Sequence, residues 1–123
     1  MIENTPLNIL IVGTGMHVSG RGTEGYGTIL PAVYEWWRKG PHGNLYIVGA
    51  RSEGIDEIKE KVRVLNELYG FTITPIYFPE DGVCNPDAYL QALKKIPRPA
   101  CALVVTPDNI HRKIAGDAIE KGF

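Results

Sequence analysis

The sequence alternates short, almost uninterrupted apolar runs with longer segments of helical periodicity. A strand that is apolar along its whole length, rather than at every second residue, is typical of a parallel sheet covered on both faces. Helices between such strands provide the crossovers that parallel neighbours require. The pattern therefore predicts an α/β fold. The four apolar runs are 7–13, 44–50, 71–78 and 100–106.

Four further segments have the apolar spacing of amphipathic helices. They are 28–40, 55–70, 85–96 and 108–123. Pro31 fits only the first turn of the first helix, and Gly40 and Gly70 are expected to end the first and second. The predicted apolar face of the second helix contains Ile55, Ile58, Val62, Leu65 and Leu68, and that of the last contains Ile110, Ile114, Ala115, Ala118 and Ile119.

The starts of the last two helices have capping signals. Asn85 is a plausible N-cap with Pro86 at the first helical position, and Asp108 is a plausible cap for the final helix. Short polar side chains at these positions can accept hydrogen bonds from the first unpaired N–H groups of a helix. We therefore expect the helices to begin at these residues.

The order of elements predicts a doubly wound parallel sheet. With right-handed crossovers and a β-α-β-α-β-α-β-α sequence, the expected strand order is 3-2-1-4. Pro75 lies within the third apolar run and places it at an edge. A chain of 123 residues suits one domain, 1–123, which we expect to stop before a fifth strand.

Composition excludes several classes of function. A net charge of -1 argues against broad binding to nucleic acid, which needs a basic face. No apolar run approaches the roughly 18 residues of a membrane span, and the opening segment has no signal-like character. We therefore expect a cytoplasmic protein that binds neither nucleic acid nor membrane.

The cysteines and histidines give no sign of a metal site. Cys84 and Cys101 form no C-x-x-C motif and are expected to be reduced structural thiols. His17, His42 and His111 are scattered along the chain without the spacing of metal ligands. No metal is predicted.

A glycine-rich stretch follows the first strand, with six glycines between Gly13 and Gly27. In a dinucleotide-binding unit the first glycine permits a tight turn, and the second lets the backbone approach the pyrophosphate. Gly13 and Gly15 occupy these places. The full G-x-G-x-x-G pattern would need a small residue at Val18, and the segment 16–27 reads as an insertion before the helix. A merely flexible glycine loop is the alternative.

Two further features of the glycine-rich stretch leave their interpretation open. Gly25 or Gly27 could provide the close helix–sheet packing that the third glycine of the pattern normally gives. Arg21 within the insertion could reach a phosphate, or it could be a solvated loop residue.

The end of the second strand bears on the choice of cofactor. An acidic residue there would bind the ribose hydroxyls of NAD, whereas an arginine attracts the 2′-phosphate of NADP. Here Arg51 and Ser52 follow the strand, which favours NADP(H), although NAD remains an alternative and Glu53 partly offsets the positive charge. A surface arginine that begins a loop is the other interpretation of Arg51.

The fourth strand ends in a motif that resembles a known family. "TPDNIH" at 106–111 runs into the last helix, "VGTG" at 12–15 follows the first strand, and "LPAV" at 30–33 opens the first helix. Together these closely resemble the Gfo/Idh/MocA family of NAD(P)-dependent sugar and polyol oxidoreductases. The resemblance covers about residues 7 to 123, with 16–27 as its chief departure, and implies a Rossmann-like dinucleotide-binding domain.

By this resemblance, Thr106, Pro107 and Asn109 border the nicotinamide-side ribose and the cofactor phosphates. His111 lies near the cofactor cleft, or else is a first-turn residue satisfied by local hydrogen bonds. The full set of expected cofactor-binding residues is Gly13, Thr14, Gly15, Met16, Arg51, Ser52, Thr106, Pro107, Asn109 and His111.

The family resemblance also implies parts that these 123 residues lack. Family enzymes continue into an E-K-P motif, whose lysine acts in catalysis, and into a second, substrate-binding domain. Neither is present here, so no catalytic residue is predicted. The chain is expected to be the nucleotide-binding domain of an oxidoreductase acting on a sugar- or polyol-like hydroxyl.

Two alternatives to this function stay open. One is a stand-alone, non-catalytic module that binds or senses a nucleotide, and the other is a structural remnant whose cleft the insertion fills. Under each of these hypotheses the fourth apolar run forms an exposed sheet edge, which predicts a homo-oligomer.

Overall fold

A computed structural model describes residues 6–20, 22–40, 42–49, 52–79, 85, 87–106 and 108–123. Along the chain the elements are β1 (Asn8–Val12), α1 (Met16–Ser19), α2 (Ile29–Lys39), β2 (Leu45–Val48), α3 (Ser52–Tyr69), β3 (Ile76–Phe78), α4 (Ala88–Lys95), β4 (Ala100–Val104) and α5 (Asp108–Glu120). Within these residues, no helix has both the length and the apolarity needed to cross a lipid bilayer.

The four strands form one parallel sheet in the order β3-β2-β1-β4, which confirms the predicted topology. In the centre, Leu10 of β1 is paired with Tyr46 of β2 on one side and with Ala102 of β4 on the other. Every residue of β1 and β2 is buried, because neighbouring strands and helices on both faces cover them. This is the physical basis of the continuous apolar runs in the sequence.

Two helical layers enclose the sheet. On one face α2 and α3 pack through a core that includes Ile11, Val33 and Ile58. On the other face α4 and α5 pack through a core that includes Leu10 and Leu93. The chain thus changes faces between β3 and β4, which makes the sheet Rossmann-like and doubly wound.

The third strand is shorter than the predicted run 71–78. It contains only Ile76–Phe78, at the edge of the sheet where Pro75 placed it. The preceding main chain pairs with a side chain instead: Asn66 Oδ1 accepts from the Ile73 N–H at 3.0 Å, and Asn66 Nδ2 donates to the Ile73 carbonyl at 3.2 Å. This amide satisfies polar groups that a longer strand would have paired with β2.

The helices bury narrower faces than predicted. Leu68 of α3 is 66% exposed and Ile119 of α5 is 72% exposed, so neither belongs to the core as the sequence pattern indicated. A helix that packs on a single sheet buries a stripe of limited width, and residues at the margin of a broad apolar face stay in solvent. The remaining predicted residues of α3, Ile55, Ile58, Val62 and Leu65, are buried.

The predicted N-cap at Asn85 is wrong. The cap position of α4 is Asp87, whose side chain makes no capping hydrogen bond. Asn85 Oδ1 instead accepts a hydrogen bond from the Asp87 N–H at 2.9 Å, a turn that precedes the helix. Pro86 lies outside the described residues. α5 begins at Asp108, the residue predicted as its cap.

Tyrosine hydroxyls join the two helices of each layer. The Tyr34 hydroxyl on α2 lies 2.6 Å from Asn66 Oδ1 on α3, and burial raises the pKa of Tyr34, which keeps it a neutral donor. On the other face the Tyr89 hydroxyl of α4 donates to Asp117 Oδ2 at 2.6 Å and accepts from Lys113 Nζ at 2.6 Å. The Tyr89 hydrogen bond is the main reason that the pKa of Asp117 is lowered.

Candidate functional site

The candidate site lies where the carboxyl ends of β1 and β4 meet. After β1 the chain enters the layer of α2 and α3, whereas after β4 it enters the opposite layer with α5. Two neighbouring parallel strands whose connections leave on opposite faces open a crevice between them. In open α/β sheets, this switch point is where ligands bind.

Gly13 is tightly packed at this point. Its N–H donates to the Val48 carbonyl at 2.9 Å, and its φ of 128° lies in the region that favours glycine. A Cβ at this position would come within 2.1 Å of the Val105 carbonyl oxygen. Gly13 therefore lets the main chain that follows β4 pass close to the end of β1, and its positive φ suits the turn expected of the first glycine.

Gly15 is open where Gly13 is packed. Its backbone is extended, with φ -83° and ψ -164°, and a Cβ there would meet none of the described residues within 4 Å. Its carbonyl accepts hydrogen bonds from the N–H groups of Val18 and Ser19 at 3.2 and 3.1 Å, which begins the single turn of α1. Among the residues that the structure describes, none therefore imposes a steric need for glycine at this position.

Thr14 and Met16 flank this open position differently. A Cβ added to Gly49, at the end of β2, would lie 2.8 Å from the Thr14 methyl, so Thr14 packs against that neighbouring strand end. The Met16 side chain is 55% exposed. Both predicted residues therefore lie near the carboxyl ends of the strands. Thr14 packs between the ends of β1 and β2, and Met16 lies at the surface.

The rest of the glycine-rich stretch packs on itself. The Thr28 N–H donates to the His17 carbonyl at 2.8 Å, which closes the loop onto α1. A Cβ on Gly20 would lie 2.3 Å from the Gly25 carbonyl oxygen, and one on Gly27 would lie 2.7 Å from the Met16 carbonyl oxygen. The predicted helix–sheet packing role for Gly25 or Gly27 is therefore wrong: a Cβ on Gly27 would contact α1, and among the described residues a Cβ on Gly25 would approach Thr23 Oγ1 alone, at 3.6 Å.

Two other details of this stretch differ from the sequence prediction. A helix does begin directly after Gly15, although α1 is only one turn long. The loop is also fixed to α3, because Lys61 Nζ donates to the Thr23 carbonyl at 2.9 Å and to the Gly25 carbonyl at 2.5 Å. No local sequence pattern could identify Lys61, because these partners lie 38 and 36 residues away in the chain.

At the end of β4, Thr106 and His111 interact with each other. The Thr106 N–H donates to His111 Nε2 at 3.0 Å, so this ring nitrogen is the acceptor of the bond. This contact supports the local hydrogen-bonding interpretation of His111. Thr106 Oγ1 is buried and has no hydrogen-bond partner in the described part of the chain. A buried hydroxyl without a partner is rare in folded proteins, so this group needs an explanation.

Some of the predicted site residues lie outside the described residues, and others have side chains that are not described. Arg51, Pro107 and Arg21 lie outside the described residues. Ser52 is the first residue of α3 and Asn109 the second residue of α5, but their side chains are not described. The roles of Arg51 at the 2′-phosphate and of Pro107 at the cofactor therefore stay predictions.

Comparison of the chain with protein-family models, with curated proteins and with solved structures found no match. The class of protein is defined by the fold alone: a four-stranded, all-parallel α/β sheet of the Rossmann-like kind, with a glycine turn at its switch point.

Proposed function

We propose that this chain binds a pyridine dinucleotide at the carboxyl end of β1, with NADP(H) preferred over NAD(H). In this proposal it is the nucleotide-binding domain of an oxidoreductase that acts on a sugar- or polyol-like hydroxyl. The observation that carries the proposal is the contrast at the switch point, where Gly13 is needed by the fold and Gly15 is bordered by open space.

Open space beside extended main chain suits a diphosphate. Phosphate oxygens approach a backbone closely only where no side chain intervenes, and the second glycine of a dinucleotide-binding turn has this function. Gly15 meets the condition without backbone strain. We therefore assign the pyrophosphate to the open side of Gly15, next to Thr14 and the start of α1.

The two ends of the dinucleotide then fall toward β2 and β4. Arg51 follows β2 in the sequence, and a guanidinium there would bind the 2′-phosphate in bidentate fashion. On the β4 side, the unpartnered Thr106 hydroxyl would hydrogen-bond the nicotinamide half. When bound, the cofactor supplies the hydride chemistry, and the residues of this chain bind and orient it.

The substrate class rests on the resemblance of "TPDNIH" and "VGTG" to the Gfo/Idh/MocA family. We assign no catalytic residue in these 123 residues, because the E-K-P motif that carries the family's lysine is not among them.

Titration with NADPH tests the pyrophosphate site. Gly15→Val should weaken binding at least about tenfold, because branched methyl groups would occupy the space assigned to the diphosphate. Gly40→Val is the matched control. Gly40 is also extended, with φ 176°, and a Cβ there would also meet no described residue within 4 Å. Gly40 follows the carboxyl end of α2, near the amino ends of the strands and away from the candidate site. Equal affinities for the two variants would contradict the proposal.

The preference for NADP(H) has a separate test. Arg51→Ala should weaken NADPH binding about tenfold and leave NADH binding nearly unchanged, because only NADPH has the 2′-phosphate. Equal or stronger binding of NADH by the parent chain would remove the NADP assignment. If ADP binds as tightly as either dinucleotide and still depends on Gly15, the non-catalytic nucleotide module becomes the better account.

A further inference from the structure

Lys61 of α3 joins the glycine-rich loop to the helical layer. Its ammonium donates to the Thr23 carbonyl at 2.9 Å and to the Gly25 carbonyl at 2.5 Å. The same ammonium lies 5.2 Å from the ring centroid of Tyr26. A lysine ammonium has three donors and no acceptor, so carbonyl oxygens and an aromatic face are suitable partners for it. These contacts hold the loop against α3 at residues 23–26.

The anchored loop packs in turn on α1. The Gly25 carbonyl, which accepts from Lys61, lies so close to Gly20 that a Cβ there would come within 2.3 Å of its oxygen. A Cβ on Gly27 would likewise come within 2.7 Å of the Met16 carbonyl oxygen. The loop therefore contacts α1 at its first residue and directly after its last, and Lys61 is connected to α1 through these main-chain contacts.

α1 needs support from outside, because it is a single turn. It contains the four residues Met16–Ser19, and no side chain caps its amino end. An isolated helical turn is unstable in water, since its few hydrogen bonds do not outweigh the entropy lost in ordering the backbone. Val18 and Ser19 are buried and hold α1 on the core. The loop that Lys61 anchors provides further contacts.

α1 also determines the conformation of Gly15. The Gly15 carbonyl accepts hydrogen bonds from the N–H groups of Val18 and Ser19 at 3.2 and 3.1 Å, so the orientation of this peptide group depends on the turn. A ligand binds more weakly when the conformation that it needs is only partly populated. A continuous path of contacts thus runs from Lys61 through the loop and α1 to the main chain beside which the pyrophosphate is assigned.

We propose that Lys61 is a positioning residue of the dinucleotide site, and that it holds the turn at Gly15 in its binding conformation through the glycine-rich loop and α1. This inference rests on the proposed function, since it concerns the same site. α3 starts at Ser52, shortly after the carboxyl end of β2, and Lys61 lies nine residues further on. At 1.5 Å per residue this is about 13 Å along the helix. Lys61 therefore acts through the loop and not by touching the ligand.

A general attraction between lysine and an anionic cofactor is the competing explanation. Lys59 distinguishes the two, because it lies on the same helix and has the same charge. Its ammonium also lies near a tyrosine ring, at 5.1 Å from the centroid of Tyr77, which belongs to β3 and not to the glycine-rich loop. Lys59→Met therefore removes one positive charge from α3 and leaves the loop anchored.

Titration with NADPH tests the role of Lys61. Lys61→Met keeps an unbranched side chain but removes the charge and the donors, and it should weaken NADPH binding about fivefold. Lys59→Met should change the affinity less than about twofold. Lys61→Arg should restore most of the affinity, because a guanidinium can donate to two carbonyls and lie on a tyrosine ring. Adenosine 2′-phosphate has no diphosphate and should bind Lys61→Met as tightly as it binds the parent chain.

Amide hydrogen exchange without ligand tests the anchor itself. The N–H groups of Ser19, Gly20 and Thr28 bond within α1 and between α1 and the loop. Their exchange should be at least about tenfold faster in Lys61→Met than in the parent chain, because the loop then opens more often. The exchange of β1 should not change, which shows that the fold is intact. Lys59→Met should match the parent chain at all these positions.

The outcomes separate this inference from the proposed function. If Gly15→Val weakens NADPH binding but Lys61→Met binds NADPH as tightly as Lys59→Met does, only the role of Lys61 is overturned. Unchanged exchange in Lys61→Met would overturn it as well, because the loop would then be held without its anchor. If the parent chain does not bind NADPH, the proposed function fails, and the role of Lys61 in that site fails with it.

Discussion

The turn after β1 has a packed side and an open side only two residues apart. At Gly13 the main chain that follows β4 lies so near that a Cβ would come within 2.1 Å of the Val105 carbonyl oxygen, whereas at Gly15 no described residue lies within 4 Å of a Cβ. Both residues are glycine and both match the same motif, yet only the first is required by the fold. The proposed function would explain glycine at Gly15, because the pyrophosphate would occupy the space beside its main chain.

The loop that follows this turn is closely packed, as the main chain at Gly13 is. Gly20 and Gly27 have φ values of 78° and 74°, and both bring main-chain segments of the same loop into contact. Two of the six glycines in this stretch, Gly20 and Gly27, thus allow the loop to fold closely on itself. A high glycine content alone does not indicate a binding turn, because the space beside each glycine decides its role.

The largest expected effect is at Gly13. Gly13→Ala should lower the free energy of unfolding by about 3–4 kcal/mol, because the methyl group collides with the Val105 carbonyl and the positive φ is unfavourable for alanine. Urea unfolding followed by circular dichroism measures this change. A loss below about 1 kcal/mol would show that β4 moves aside easily and would end the distinction between the two sides.

A smaller loss is expected in the loop. Gly20→Ala should cost about 2–3 kcal/mol, which combines the left-handed backbone with a contact 2.3 Å from the Gly25 carbonyl. Gly22→Ala isolates the backbone contribution, because Gly22 has a similar φ of 80° but nothing within 4 Å, and it should cost about 1 kcal/mol. Equal losses for the two variants, by the same unfolding measurement, would mean that the loop contact adds nothing.

The smallest effect is expected at Gly15. Gly15→Ala should change the free energy of unfolding by less than about 0.5 kcal/mol, because the reduced freedom of the unfolded chain is offset by the preference for glycine over alanine at the N-cap of α1. Thermal and urea unfolding both measure this change. A loss above about 2 kcal/mol would show that Gly15 is sterically restricted and would remove the structural reason for assigning a ligand there.

Most of the fold could be predicted because its signals are local. The continuous apolarity of 7–13 and 44–50 reflects burial on both faces, and the alternation with helices left one reasonable sheet order. Predictions failed where a distant residue decided the outcome. Asn66 pairs with the main chain around Ile73 and shortens β3, and nothing near Ile73 in the sequence indicates this.

The candidate site was predictable to a similar extent. The sequence identified Gly13 and Gly15 as a pair and placed Thr106 at the end of a strand, and the structure finds both places at the switch point. It could not separate a packed glycine from an open one, because that depends on Val105, which is 92 residues from Gly13 along the chain. Nor could it show that the Thr106 N–H uses His111 Nε2 as its acceptor.

The amino-acid sequence by itself determined the class of fold, because hydrophobic periodicity and turn residues act over a few neighbouring positions. Only the tertiary structure decided which positions are closely packed and which are left exposed. It closed the space beside Gly13, left the space beside Gly15 open, and exposed Ile119 of α5. These outcomes depend on how elements distant in the chain approach one another, and close packing fixes them only once the whole sheet has formed.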